Sequence, residues 1–138
     1  MGGRYYTSFK VGDSTLLPNP GTITNTSDAY LVRLDTAGKY IWGRSFGGYD
    51  GVWRNQDFCY GVEIDNRGNV GIAGRYGGDK SVFGEDTVTE SAGFRAVYVS
   101  LIDSTGDFIW TATGTSGQNW ANQANAISLD SSKNIYVS

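Results

Sequence analysis

The sequence predicts an all-β protein built from four-stranded antiparallel units, and three observations carry that prediction. Apolar and polar residues alternate with period two, short turns bearing Asp and Gly separate the alternating phrases, and every recognisable phrase occurs twice.

The repeats are direct. AYLVRLDTAGKYIW, residues 29–42, aligns with VYVSLIDSTGDFIW, residues 97–110, at an offset of 68. GVEIDNRGNVGIA, residues 61–73, aligns with AISLDSSKNIYVS, residues 126–138, at 65, and Gly3-Arg4-Tyr5 aligns with Gly74-Arg75-Tyr76 at 71. Within them Tyr30, Val32 and Leu34 alternate with Leu31, Arg33 and Asp35, which sends partly apolar side chains to both faces of a sheet. Between paired strands stand DTAGK, DNRGN, DSTGD and DSSKN, where an Asp caps its own turn and Gly or an equivalent takes positive φ. One repeat therefore reads as two hairpins with strands at 61–65, 69–76, 96–103 and 107–114, and no segment carries a helical period.

Four-stranded antiparallel units in tandem, packed on both faces, are the pattern of β-propeller blades, since one blade cannot cover its own faces. The strand 28–35, the turn Thr36-Ala37-Gly38, the strand through Trp42, the Gly47-Gly48 pair, then Gly61-Val62-Glu63-Ile64-Asp65 with Gly68-Asn69-Val70 resemble the bacterial SBBP-type β-propeller repeat family. The resemblance covers nearly the whole chain in two passes and is weakest over the connectors 11–27 and 77–95. It implies a non-catalytic scaffold or binding surface of a secreted or cell-surface bacterial protein.

In that register the contiguous blade spans about 59–115, and the other is split into about 3–48 plus 124–138. Read from Ser138 into Gly3, the ends form N-I-Y-V-S-G-R-Y, the counterpart of N-V-G-I-A-G-R-Y at 69–76. Three accounts fit such a split. Copies join head to tail, so that the termini of two chains complete each blade in a homo-oligomeric ring or a fibre; or the chain is an excised piece of a longer propeller; or two blades stack alone with exposed faces. The phase of the cut favours the first.

Composition bounds the function. With 11 Lys plus Arg against 14 Asp plus Glu, no basic face is expected for nucleic acid. The apolar runs are short, so no membrane insertion is expected, and MGGRYYTSFK lacks the apolar core of a signal peptide. The single Cys59 forms no internal disulfide and reads as a buried, slow-reacting thiol. With 0 His, serine–histidine and cysteine–histidine nucleophile systems are excluded. Asp35, Asp65, Asp103 and Asp130 all occupy the same turn position and read as turn caps, not as calcium ligands. The Gly-rich pieces SFGGYDG and RYGGDK lack the following helix and Lys-Ser/Thr pair of a phosphate loop. No catalytic residue, metal site or cofactor is therefore assigned.

One motif stands apart. The loop leaving each outer strand carries Trp-x-Asn-Gln: Trp53-Arg54-Asn55-Gln56 and Trp120-Ala121-Asn122-Gln123. In a propeller such loops lie where the central channel opens, and an indole beside amides suits stacking on a sugar while hydrogen-bonding its hydroxyls. The competing reading is that the Trp fills the wedge between blades. Trp53, Arg54, Asn55, Gln56, Trp120, Asn122 and Gln123 are the candidate contacts for a glycan or protein ligand. Trp42 and Trp110, inside strands, are expected in the core. A carbohydrate-active enzyme using unshared carboxylates such as Asp50, Asp57 or Glu63 is the alternative function.

Overall fold

A computed structural model describes residues 1–6, 8–16, 27–48, 56–78, 80–89, 95–114, 122–132 and 134–138. Among these residues the chain is all-β, with no helix and no sheet closed on itself. Four strands, β6 (Phe58–Ile64), β7 (Val70–Tyr76), β10 (Ala96–Ile102) and β11 (Phe108–Gly114), form one antiparallel sheet in the order β11-β10-β7-β6. These are the strands that alternation places at 61–65, 69–76, 96–103 and 107–114, the first reaching three residues further back. A register shift between Cys59 and Gly61 accommodates the added length.

The turns form as their composition dictates. Asp103 Oδ1 accepts from the backbone N–H groups of Thr105 at 2.8 Å and Asp107 at 2.9 Å, and Asp35 Oδ1 accepts likewise from Ala37 and Lys39 at 2.9 and 2.8 Å. The Thr105 hydroxyl, with the backbone donors, holds the Asp103 carboxyl below its ordinary value, and the Asn134 amide leads the same effect at Asp130. With their lone pairs committed to their own turns, these carboxylates are caps.

A second sheet is built from β1 (Gly2–Tyr5), β4 (Asp28–Leu34) and β5 (Tyr40–Gly48), extended by the hairpin β8 (Lys80–Phe83) and β9 (Asp86–Thr89) in the order β1-β4-β5-β8-β9. The added hairpin lies within the 77–95 connector and pairs with the Gly47-Gly48 end of β5. A matching hairpin, β2 (Phe9–Val11) with β3 (Ser14–Leu16), occupies the other connector. Each turns on a glycine at positive φ, Gly12 at 58° and Gly84 at 64°.

The two sheets pack face to face. Ala29, Leu31, Trp42 and Phe46 of the second sheet share one buried cluster with Val70, Ile72, Tyr76, Tyr98 and Ile102 of the first, and Phe83 of β8 joins them. Aromatic rings dominate: Phe83 lies 4.9 Å from Tyr98, and Phe46 meets Tyr98 edge-on at 5.7 Å. On the opposite face of the first sheet sits the hairpin of β12 (Ile127–Leu129) and β13 (Ile135–Val137). Its Ile127 and Leu129 side chains press on Gly61 and Gly71, where an added Cβ would meet them at 3.0 and 2.9 Å. The order of layers is therefore second sheet, first sheet, C-terminal hairpin.

Candidate functional site

The sheets have two distinct ends. The Asp-capped turns crowd one, and the chain passes between layers at the other. At the second end Asp57, just before β6, is buried with 1% of its surface exposed. Its Oδ2 accepts from Gly48 N–H at 2.8 Å and its Oδ1 from Gly77 N–H at 3.0 Å, while its own N–H donates to Ser27 O at 2.8 Å. Asp57 thus ties the end of β5 to the end of β7. Gly47, at φ 141°, brings its Cα so close that any Cβ would collide with the carboxylate. Each of the two Gly-rich pieces that resemble phosphate loops in composition turns one backbone N–H, of Gly48 and of Gly77, onto this internal carboxyl group.

Burial pushes the Asp57 carboxyl up to about 8, against the pull of the two backbone N–H groups, with Asp28 raising it further and Arg75 lowering it. Asp57 and Glu63 are six residues apart along one extended segment, roughly 20 Å at 3.3 Å per residue. Glycosidase carboxyl pairs stand about 5 to 10 Å apart. Asp57 and the exposed Glu63 are thus too distant to form one, and Asp50 lies outside the described residues.

Beside the clamp is a cluster of cations and rings. The guanidinium carbons of Arg4 and Arg75, equivalent positions of the two repeats, lie 4.4 and 4.2 Å from the centre of the Phe58 ring. Tyr60 stacks on Phe58 at 5.1 Å, and Arg4 also covers the exposed Tyr6 at 5.2 Å. Arg75 is buried, its Nη2 reaches Gln56 Oε1 at 3.4 Å, and its Nε has no hydrogen-bond partner among the described residues. The Cys59 thiol beside this cluster is buried, which pushes it up to about 11, with Sγ 3.7 Å from Gly61 O. The shared G-R-Y phrase marks Arg4 and Arg75 in the sequence, whereas nothing there joins them to Phe58 and Tyr60.

Of the seven loop residues singled out from sequence, Trp53, Arg54, Asn55 and Trp120 lie outside the described residues. Gln56 meets Arg75 and bridges to Ser27, Asn122 donates its backbone N–H to Arg95 O at 3.5 Å, and Gln123 Nε2 donates to Asn125 Oδ1 at 3.0 Å. Through Arg75, Gln56 touches the arginine and aromatic cluster.

The turn end carries a different feature, an apolar cleft of about 170 Å³ between the sheets, lined by Met1, Leu31, Leu34, Val62, Ile64 and Val70 among others. It exists because β1 covers only part of β4: Tyr5 to Gly2 pair with Asp28 to Leu31, and Met1 exchanges backbone hydrogen bonds with Val32 at 2.8 and 2.9 Å. Beyond Val32, β4 has no strand partner on that edge among the described residues. Ile64, facing the cleft, is 62% exposed. Trp42 is buried as expected. Trp110 is not: it is 37% exposed, because among the described residues no sheet covers its face of β11 as the first sheet covers Trp42. No helix among the described residues is long and apolar enough to cross a membrane. No protein-family model and no curated protein sequence matches the chain.

Proposed function

We propose that the chain is a non-catalytic β-propeller repeat module, a structural scaffold or binding surface whose split blade is completed head to tail by another copy. The observation that carries this reading is the register of the open edge. In the complete sheet β7 pairs along all of β10, with Val70, Gly71 and Ile72 opposite Ile102, Leu101 and Ser100, and Gly74 opposite Tyr98. In the second sheet Gly3 stands opposite Tyr30, the counterpart of Gly74 opposite Tyr98, so β1 supplies only the second half of that strand. The first half corresponds to β13.

Transferring the register sets Ile135, Tyr136 and Val137 of one copy opposite Leu34, Arg33 and Val32 of the next. Tyr136, 59% exposed in the single chain, then faces the cleft lined by Val62 and Ile64 and fills it. The incoming strand displaces Met1 and Gly2, which occupy its last two pairing positions. Pairing of backbone groups together with burial of an aromatic ring supports an interface of obligate character. Deleting residues 134–138 tests it: self-association is lost. Association that persists unchanged without these residues refutes strand completion.

A second reading is favoured by the cluster of Arg4, Arg75, Phe58 and Tyr60. It adjoins Gln56 at the loop end, and cations beside stacked rings suit an acidic glycan or a carboxylate-bearing ligand. In that reading Trp53 and Trp120 add stacking faces. A titration with acidic oligosaccharides tests it; binding that survives Arg4→Ala and the Trp53→Ala/Trp120→Ala pair in folded protein refutes it.

A further inference from the structure

Trp42 and Trp110 hold the same position of the two repeats in opposite environments. Trp42, 7% exposed, donates its indole N–H to Ser104 O at 3.0 Å, in the turn of the neighbouring sheet. Its ring lies on Gly106, where an added Cβ would stand 2.9 Å from a ring carbon. Arg33 and Arg44 fasten the same turn, through Ser104 O at 2.7 Å and Asp107 Oδ1 at 3.0 Å. The contact is an aromatic side chain seated on an Asp-capped turn, and it needs glycine at the seat.

Both halves of a second such contact are present and unused. Trp110 is exposed on the far face of the first sheet, beside Val97 and Val99, whose counterparts Ala29 and Leu31 are buried. The turn 35–39 has the same Asp cap, and Gly38 has the same left-handed conformation as Gly106, φ 79° against 95°. Gly106 is buried, whereas Gly38 is exposed, with nothing among the described residues within 4 Å of the position its Cβ would take. The two halves lie on opposite sides of the layered stack, so one chain cannot bring them together.

We propose that a second copy of this chain seats its turn 35–39 on Trp110, the indole N–H donating to Thr36 O and the ring covering Gly38. The contact rests on the head-to-tail reading and specifies where the outer strands of adjoining copies lock. It is heterologous, since each copy offers a ring on one side and a turn on the other. It is also less polar than its internal model: the counterparts of Arg33, Arg44 and Asp107 are Leu101, Ala112 and Lys39, so the Arg–Asp pair is not reproduced. Added salt therefore leaves it in place.

The test uses two variants that block opposite halves. Trp110→Ala removes the ring from an exposed position, and Gly38→Asn puts a side chain on the seat; Asn tolerates left-handed φ and the free chain has space for it. Sedimentation velocity over a concentration series, with near-ultraviolet circular dichroism to verify folding, reads the outcome. Each variant alone is expected to raise the concentration needed for self-association by roughly thirtyfold, as loss of a central Trp contact does. Below the concentrations at which either variant associates alone, an equimolar mixture of the two is expected to form a 1:1 dimer that grows no further, because it contains one intact ring and one intact turn. If the unaltered chain associates and both variants associate equally well, the Trp110 contact is wrong and strand completion stands. If the unaltered chain remains a monomer at every concentration, head-to-tail assembly fails and takes the contact with it.

Discussion

Replacing Asp57 by Asn probes the buried clamp through the pH dependence of stability. The folded-state carboxyl is raised from an ordinary 3.8 to about 8, so the folded chain holds a proton there that the unfolded chain has released. A group raised on folding contributes stability that is complete below its unfolded value and is lost as pH climbs through its folded value. The slope is about 1.4 kcal/mol per pH unit, so the chain loses on the order of 3 kcal/mol between pH 5 and pH 7. No histidine titrates in that window, because the chain has 0 His. The amide introduced by Asp57→Asn cannot ionise, and it leaves one of the Gly48 and Gly77 N–H groups without an acceptor, which costs about 1 to 3 kcal/mol at pH 5. Urea unfolding at pH 5, 6 and 7, at one fixed protein concentration, should therefore give a falling profile for the unaltered chain and a nearly flat one for Asp57→Asn. Stability that is level or rising with pH in the unaltered chain would mean that the two N–H groups and Arg75 hold an ionised carboxylate, and the reasoning would be refuted.

Three further outcomes are expected. Trp42→Ala should destabilise the fold by about 3 to 5 kcal/mol, since it empties a buried aromatic site, while Trp110→Ala, measured in dilute monomer, should cost under about 1 kcal/mol; equal costs would show that the two environments do not differ. Cys59 should react with a thiol reagent only at the rate of unfolding, because burial both shields it and raises its titration point, and labelling within seconds in native buffer would contradict that. A chain beginning at Gly3 should assemble at lower concentration than one retaining Met1, because Met1 and Gly2 compete for the edge of β4; unchanged assembly would show that the N-terminal pairing is no obstacle.

Strands and turns were legible in the sequence because their determinants are local. Alternation at 28–34 and 96–102 and an Asp that opens a small-residue turn specify a strand and its end without help from elsewhere. Contacts between layers were less accessible. The hairpin β8–β9 docks on Gly47-Gly48 through only two residue pairs, inside the connector 77–95 where the repeats placed no strand. Asp57 read as a possible catalytic acid because it stands outside the repeated turns; only the fold brings Gly48 and Gly77 to it. Trp110 read as core because repetition implies equal environments, whereas burial depends on what lies across the face. Of the loop motif around Trp53 and Trp120, Gln56 bonds to Arg75 and so links the motif to the cation and ring cluster, whereas Gln123 bonds to Asn125 beside it in sequence.

Completion of the split blade between copies is tested most directly by the mass of the 138-residue chain in solution, measured by light scattering from dilute to concentrated protein. Head-to-tail completion predicts a mass that rises from one chain of 14.9 kDa toward whole multiples, together with stability that rises with concentration. A well-folded species of 14.9 kDa whose mass and stability stay constant across the series would contradict it.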